Sequence, residues 1–155
     1  MLAASSHDHP GQYFQFDKKT RRLDGIGPAR PQLESVALAK VKAVRYAAAG
    51  GVEMPGYLTL RPGRETARGL PAVLLAHGRP SARDEWGFDW LAQFHAHKGY
   101  AVLQPNNRGS AGYGDAWLAQ NGFRSWRTSV GDITVGAKWL AAHGVVDPKR
   151  MAIVG

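Results

Sequence analysis

The residues of this 155-residue chain that could do chemistry collect in three short turns, each directly after an apolar run. His77-Gly78-Arg79-Pro80 follows "PAVLLA", Asn106 to Gly114 ("NNRGSAGYG") follows "YAVLQP", and Gly155 follows "MAIV". In an open parallel sheet, ligands bind just beyond the carboxyl ends of the strands, so these are the places to look. The residue types restrict what can happen there. With no cysteines, disulfides, zinc–thiolate centres and a thiol nucleophile are excluded. None of Ser81, Ser110, Ser125 and Ser129 stands in a G-x-S-x-G frame, so no serine here is presented on a nucleophile turn of that kind. Gly109, Gly112 and Gly114 do not fit G-x-G-x-x-G, and no G-K-[ST] follows. The stretch reads instead as a tight loop held by hydrogen bonds from Arg108. His95 and His97 diverge by roughly 200° around a helix and cannot share a metal ion. His7 and His9 lie in a polar stretch, and His143 sits at a helix end where a cation is favoured. No metal and no cofactor are expected.

The elements that must position these turns follow from the apolar periodicity. "QYFQF" (Gln12 to Phe16) alternates polar and aromatic residues, "DKKT" turns, and "RRLDGI" returns, a hairpin signal. Gly25, Gly27, Pro28 and Pro31 then break the pattern, and a linker is placed near residues 25–36. Val41 to Tyr46 and Val52 to Leu60 read as two strands joined at Gly50-Gly51, the second interrupted by Pro55 and so assigned near an edge or bulge. From Leu70 the texture changes. Apolar runs of the kind buried on both faces alternate with segments of helical spacing, ending in a third buried strand after the "DPKR" turn. The first helix carries Trp86, Trp90, Leu91 and Phe94, with Gly99 as its stop and Lys98 at its negative end. The second begins near Asp132, read as an acidic residue favoured by the helix dipole, with Ile133, Val135, Ala137, Leu140 and Ala141 on or near its apolar side. Trp86, Trp90, Trp126 and Trp139 are assigned to core or helix packing. Strand–helix–strand–helix–strand predicts an α/β fold with a parallel sheet and crossover helices.

Composition narrows the partners. The formal charge is +8, which raises the prior for anionic partners, but the basic residues are spread out: Arg61, Arg64 and Arg68 stand among Gly and Pro, and Lys18, Lys19, Arg21 and Arg22 crowd one turn. Without a run of five or six like charges they read as solvated surface, and no nucleic acid is expected. Nor is a membrane, because no window nears the roughly 18 apolar residues a span requires. The amino-terminal stretch has no signal-peptide pattern, and the lack of cysteine suits cytoplasm and periplasm equally.

H-G-x-P, N-x-R-G-S-x-G-Y-G and D-P-x-R-x-x-I-x-G, in this order and spacing, resemble the catalytic domain of the prolyl oligopeptidase family of serine peptidases. The likeness is greatest to its acylaminoacyl-peptidase and dipeptidyl-aminopeptidase branches, and it runs from about Lys40 onward. It implies the N-terminal half of an α/β-hydrolase sheet over residues 36–155, with residues 1–35 as the end of a β-propeller plus a linker. It implies that Gly155 is the first glycine of the nucleophile elbow, so that no member of the Ser/Asp/His triad lies within the chain, which alone would be inactive. It implies that His77, Gly78 and Arg79 form the loop that donates to the oxyanion. The family usually reads H-G-G-P. Arg79 in place of the second glycine loses the freedom to take positive φ, yet it could reach a substrate carboxylate or carbonyl. Asn107 stands where the family commonly has an aromatic, which makes it a candidate substrate contact, and Arg108 and Gly109 are structural. The partner so implied is a peptide.

Two other readings remain open: a fragment of an α/β-hydrolase esterase, whose elbow would look the same, and a non-catalytic interaction module. For a sheet cut at Gly155, the last strand is expected to be uncovered along one edge and the isolated chain to be poorly soluble, without turnover on aminoacyl or ester substrates.

Overall fold

In the computed structural model, which describes residues 1–78, 81–120 and 122–155, the two kinds of strand pattern sort into two sheets. The first is antiparallel, in the order β1 (Leu2–Ser6), β2 (His9–Asp17), β3 (Arg22–Pro28). Its expected hairpin is β2–β3, and the turn is tied by the Asp17 carboxylate, whose Oδ1 accepts from the Lys19 N–H at 2.8 Å and the Thr20 N–H at 3.3 Å. β1 carries small residues with no period-two signature. It is held by backbone pairing to β2, with Leu2 opposite Phe14 and Ala4 opposite Gln12. β3 continues to Pro28, so the first residues read as linker are strand. Tyr13, Phe16, Leu23 and Ile26 remain exposed on this sheet.

The second sheet has the order β4-β5-β7-β6-β8, built from β4 (Val41–Ala47), β5 (Glu53–Thr59), β6 (Leu70–Leu75), β7 (Ala101–Pro105) and β8 (Val146–Val154). β6 is parallel to both β7 and β8, while β4–β5–β7 is antiparallel. Between the parallel strands run α1 (Trp90–His97), α2 (Asp115–Leu118) and α3 (Gly122–Ala142). Residues alternate across β6 and β7. Ala72 and Leu103 join Tyr46, Met54, Leu58 and Leu140 in one core cluster, on the side of α3. Val73, Leu75 and Val102 join Ala92 and Ala96 of α1 in the other. Helices therefore cover both faces, which is why β6 and β7 read as unbroken apolar runs. Burying each of Leu74, Leu103, Met54 and Leu140 fully is worth about 1.5–3 kcal/mol. Gln93 of α1 ties the layers together across the linker: its Oε1 accepts from the Ala39 N–H at 2.8 Å, and its Nε2 donates to the carbonyls of Ala39 and His7.

Four expectations are corrected. Pro55 lies in an inner strand with regular pairing, at the point where the β5–β7 ladder starts with Gly56, so its missing N–H is not needed there. The tryptophans are mostly not core. Trp90 is 63% exposed, because α1 approaches the sheet through the small Ala92 and Ala96, and Trp126 of α3 is 56% exposed. Trp86 precedes α1, which starts where the Asp89 carboxylate accepts from the Ala92 N–H at 2.8 Å. Of the four, Trp139 packs on the core, stacked on Tyr46 with 5.8 Å between ring centroids. α3 begins well before Asp132, which thus sits in mid-helix, away from any dipole end. Finally, β8 is not the buried strand that its composition suggests, with Ile153 60% exposed; it is an edge strand, as expected for the last strand of this sheet. The "DPKR" turn persists within it: pairing with β6 breaks between Val146 and Met151, where Asp147 Oδ1 accepts from the Lys149 N–H at 2.9 Å.

Candidate active site

Because β6, β7 and β8 run the same way, their carboxyl ends and the three turns lie side by side. Ala76, at the end of β6, donates its N–H to the Val154 carbonyl at 2.8 Å, which brings Gly155 against the β6 turn. A Cβ on Gly155 would stand 2.7 Å from the Ala76 carbonyl oxygen, closer than real side chains come, so only glycine fits without moving one of the two turns. Next along the chain, the backbone N–H groups of His77 and Gly78 take no partner among the described residues. Arg79 lies outside those residues.

The His77 ring is fixed from the neighbouring loop. Its Nε2 lies 2.8 Å from Ser110 Oγ, and that hydroxyl donates its single proton to the Asn107 carbonyl at 2.7 Å. Nε2 must therefore be the donor to Ser110, and Nδ1 is buried and without a partner among the described residues. A serine next to a histidine invites comparison with a nucleophile and its base, but the proton runs the wrong way. Ser110 is also fully buried, and nothing contacts Nδ1 as the acid of a triad would. The pair is a clamp on the β6 turn.

The rest of the loop is similarly satisfied. Asn106 is fully buried at the end of β7: its Oδ1 accepts from the Asp84 N–H at 2.8 Å, and its Nδ2 donates to the Asp84 carbonyl at 3.1 Å and the Tyr113 hydroxyl at 2.8 Å. Asp84 Oδ1 accepts from Gln104 Nε2 at 3.1 Å, but Oδ2 is buried and unpaired among the described residues. Burial pushes the Asp84 carboxyl up to about 6; His77 and the Gln104 hydrogen bond pull it down, and the Asp89 carboxylate adds slightly to the rise. Arg108 makes a bidentate pair with Asp132, Nη2 to Oδ1 at 2.7 Å and Nε to Oδ2 at 3.0 Å, while its backbone N–H reaches Oδ2 at 3.1 Å. Asp132 is 1% exposed and Arg108 14%, so α3 holds the loop through a buried ion pair. Gly109 follows at φ +99°, in the left-handed region that favours glycine, and its N–H bonds the Trp117 carbonyl at 3.0 Å. The Asn107 side chain is 8% exposed and donates to the Arg108 carbonyl at 3.0 Å.

The geometry thus joins His77, Gly78, Arg108, Gly109 and Gly155 in one array of turns, gives Asn106, Ser110 and Tyr113 of the second turn defined partners there, and adds Asp84 and Asp132, which sequence reasoning did not assign to it. Ser110 and Asn106 were visible only as members of a glycine-rich loop; nothing in their spacing tells that one would clamp His77 and the other Asp84. A separate cleft of about 470 Å³, lined by Leu33, Phe88, Trp90 and Phe94 among others, lies beside α1 and contains none of the turn residues. Among the described residues, no group of three His, Asp or Glu could hold a metal ion, and no helix is long and apolar enough to cross a membrane.

Comparison with known proteins follows the same residues. Residues 86–155 match the prolyl oligopeptidase family. The chain is similar to dipeptidyl aminopeptidase BIII of Pseudoxanthomonas mexicana, 35% identical over 164 residues, covering all of the chain and 23% of that protein. It is 26% identical over 176 residues to dipeptidyl peptidase family member 6 of Caenorhabditis elegans, covering all of the chain and 24% of that protein. In structure it resembles a puromycin-hydrolysing peptidase of Mycobacterium tuberculosis, with a TM-score of 0.80 and 28% identity over 97% of the chain and 24% of that protein. Acylaminoacyl peptidase of Pyrococcus horikoshii shares the fold, with a TM-score of 0.76 at 19% identity over the same shares. The chain spans about a quarter of the length of these relatives.

Proposed function

The chain belongs to the prolyl oligopeptidase family, and from that premise we propose that it is part of a serine peptidase that hydrolyses peptide bonds of short peptides through an acyl-enzyme. Residues 36–155 are the first half of its α/β-hydrolase domain, and residues 1–35 the end of a propeller with its connection. The observation that carries the reading is the meeting of the β6 turn and Gly155: a pair of N–H groups without partners among the described residues stands beside a glycine that admits no side chain. In acyl transfer, negative charge develops on the former carbonyl oxygen, and N–H donors already aimed at it lower the barrier without reorganising. The N–H groups of His77 and Gly78 are in place for that task, and Ser110 holds the turn that carries them. Gly155 opens the tight turn on which the nucleophile is presented, so the nucleophile, its base and the acid come from residues outside these 155. Arg79, the next residue in the sequence, is a candidate contact for a substrate carboxylate or carbonyl.

A fluorophosphonate probe tests this in the longer protein that includes these residues. The expected result is labelling of a serine two positions beyond Gly155, together with release of p-nitroaniline from dipeptidyl or acylaminoacyl substrates. The 155-residue chain alone should show neither. Labelling of Ser110, or turnover by the chain alone, would overturn the assignment; hydrolysis of p-nitrophenyl esters without amide cleavage would favour an esterase.

A further inference from the structure

Basic residues that are scattered in sequence converge at the other end of the same sheet. Arg61, Arg64, Arg68, Lys98 and Arg150 line a cleft of about 380 Å³ beside the amino end of β6, walled by the Gly69–Pro71 segment and Gly99. Two of these side chains are anchored. Arg68 Nη1 donates to the His143 carbonyl, and Arg150 donates from Nη2 to the Gly69 carbonyl at 2.7 Å and from Nε to Asp147 Oδ2 at 2.9 Å. Arg61 and Arg64 have no hydrogen-bond or ion-pair partner for their guanidinium groups among the described residues, and Lys98 lies over the Phe94 ring at 5.7 Å.

The charges do not balance locally. The carboxyl ends of α1 and α3 point here and supply about half a negative charge each. Asp147 supplies one more. Glu65, on the same loop as Arg64, turns Oε1 to the Gly63 N–H at 3.1 Å and does not line the cleft. Even with Glu65 counted, about two positive charges are left without a counter-charge, and their mutual repulsion is carried by the folded state. Guanidinium forks match the oxygens of phosphate two at a time, and the cleft is of the size that encloses a small ligand. From this convergence the structure assigns a binding site for a small anion of two or three linked phosphoryl groups at the amino end of the sheet. It is independent of the peptidase reading, whose turns lie at the opposite end.

Calorimetric titration of the full-length protein with inorganic tripolyphosphate tests the assignment. One-site binding is expected, weakened about tenfold or more by R61S/R64S, and about threefold by R61K/R64K, which keeps the charge but loses the fork. Removing equal charge from the β2–β3 turn with K18S/K19S should leave affinity within about twofold. Far-UV circular dichroism establishes that each variant is folded. Absence of tripolyphosphate binding would overturn the proposal, and so would equal losses in R61S/R64S and K18S/K19S, which would mark general attraction by net charge. Binding to phosphatidylserine vesicles through Arg61 and Arg64 without binding of tripolyphosphate would also overturn it, in favour of a membrane surface.

Discussion

The two ends of the β6–β7–β8 sheet handle polar groups in opposite ways. At the carboxyl end, Asn106, Ser110, Arg108 and Asp132 are buried or nearly so, and each is hydrogen-bonded: Asn106 to Asp84 and Tyr113, Ser110 to His77 and the Asn107 carbonyl, and Arg108 to Asp132. At the amino end, Arg61, Arg64 and Lys98 are exposed, and only Arg68 and Arg150 are anchored to the backbone. The first arrangement fixes geometry, since a buried polar atom left unpaired costs more than a made bond gains. The second leaves charge available, since exposed cations cost little to keep but repel one another until a counter-ion arrives. Rigid turns suit a site that must hold donors where charge develops; unmatched cations suit a site that responds to what is dissolved around it.

The largest effect that could break this contrast lies at the buried ion pair. Asp132→Ala leaves Arg108 buried without its carboxylate and should destabilise the protein by about 3–5 kcal/mol in urea unfolding. The matching truncation at the other end, Arg64→Ala, should stay within about 0.5 kcal/mol. Equal effects would show that the two ends are not built differently.

A smaller effect is expected at the clamp. Ser110→Ala removes the acceptor of His77 Nε2 and should cost about 1–3 kcal/mol. It should also change the ring's state, visible as the loss of a single Nε2–H tautomer in long-range ¹H–¹⁵N spectra. A tautomer unchanged in Ser110→Ala would mean that the hydroxyl does not orient the ring.

The smallest effect sharpens the picture, because at the carboxyl end Asp84 Oδ2, like His77 Nδ1, is buried without a partner among the described residues. Folded Asp84 keeps its proton up to about pH 6, whereas an unfolded aspartate loses it near about 3.9. The native state therefore binds more protons in between, and this group lowers stability as pH rises from about 4 to about 6. Asp84→Asn should be more stable than the parent at pH 7 by about 1–2 kcal/mol, a figure reduced for partial exposure, with the difference closing below about pH 4. A difference independent of pH would assign it to packing instead.

Much of the fold was legible in the sequence because it rests on local rules. Apolar runs without alternation marked β6 and β7 as strands covered on both faces, and the order of strands and helices predicted the parallel sheet. β1 was not legible, because "LAASS" has no periodicity and is recruited by backbone pairing. The edge position of β8 was foreseen for a sheet cut at Gly155 but hidden in its apolar composition, since composition does not say which neighbours a strand has. Asp132 was misplaced because its helix starts earlier than its apolar pattern does.

By itself the sequence determined the three turns, the family their motifs resemble, and the absence of any cysteine chemistry. These depend on residue identity and on spacing along the chain. Only the tertiary structure decided which polar atoms meet: Ser110 with His77, Arg108 with Asp132, and five separated cations around one cleft. The physical reason is that hydrogen bonds and charge repulsion act over a few ångströms in space, and distances of 24 to 33 residues along the chain carry no such information until the sheet brings its strand ends together.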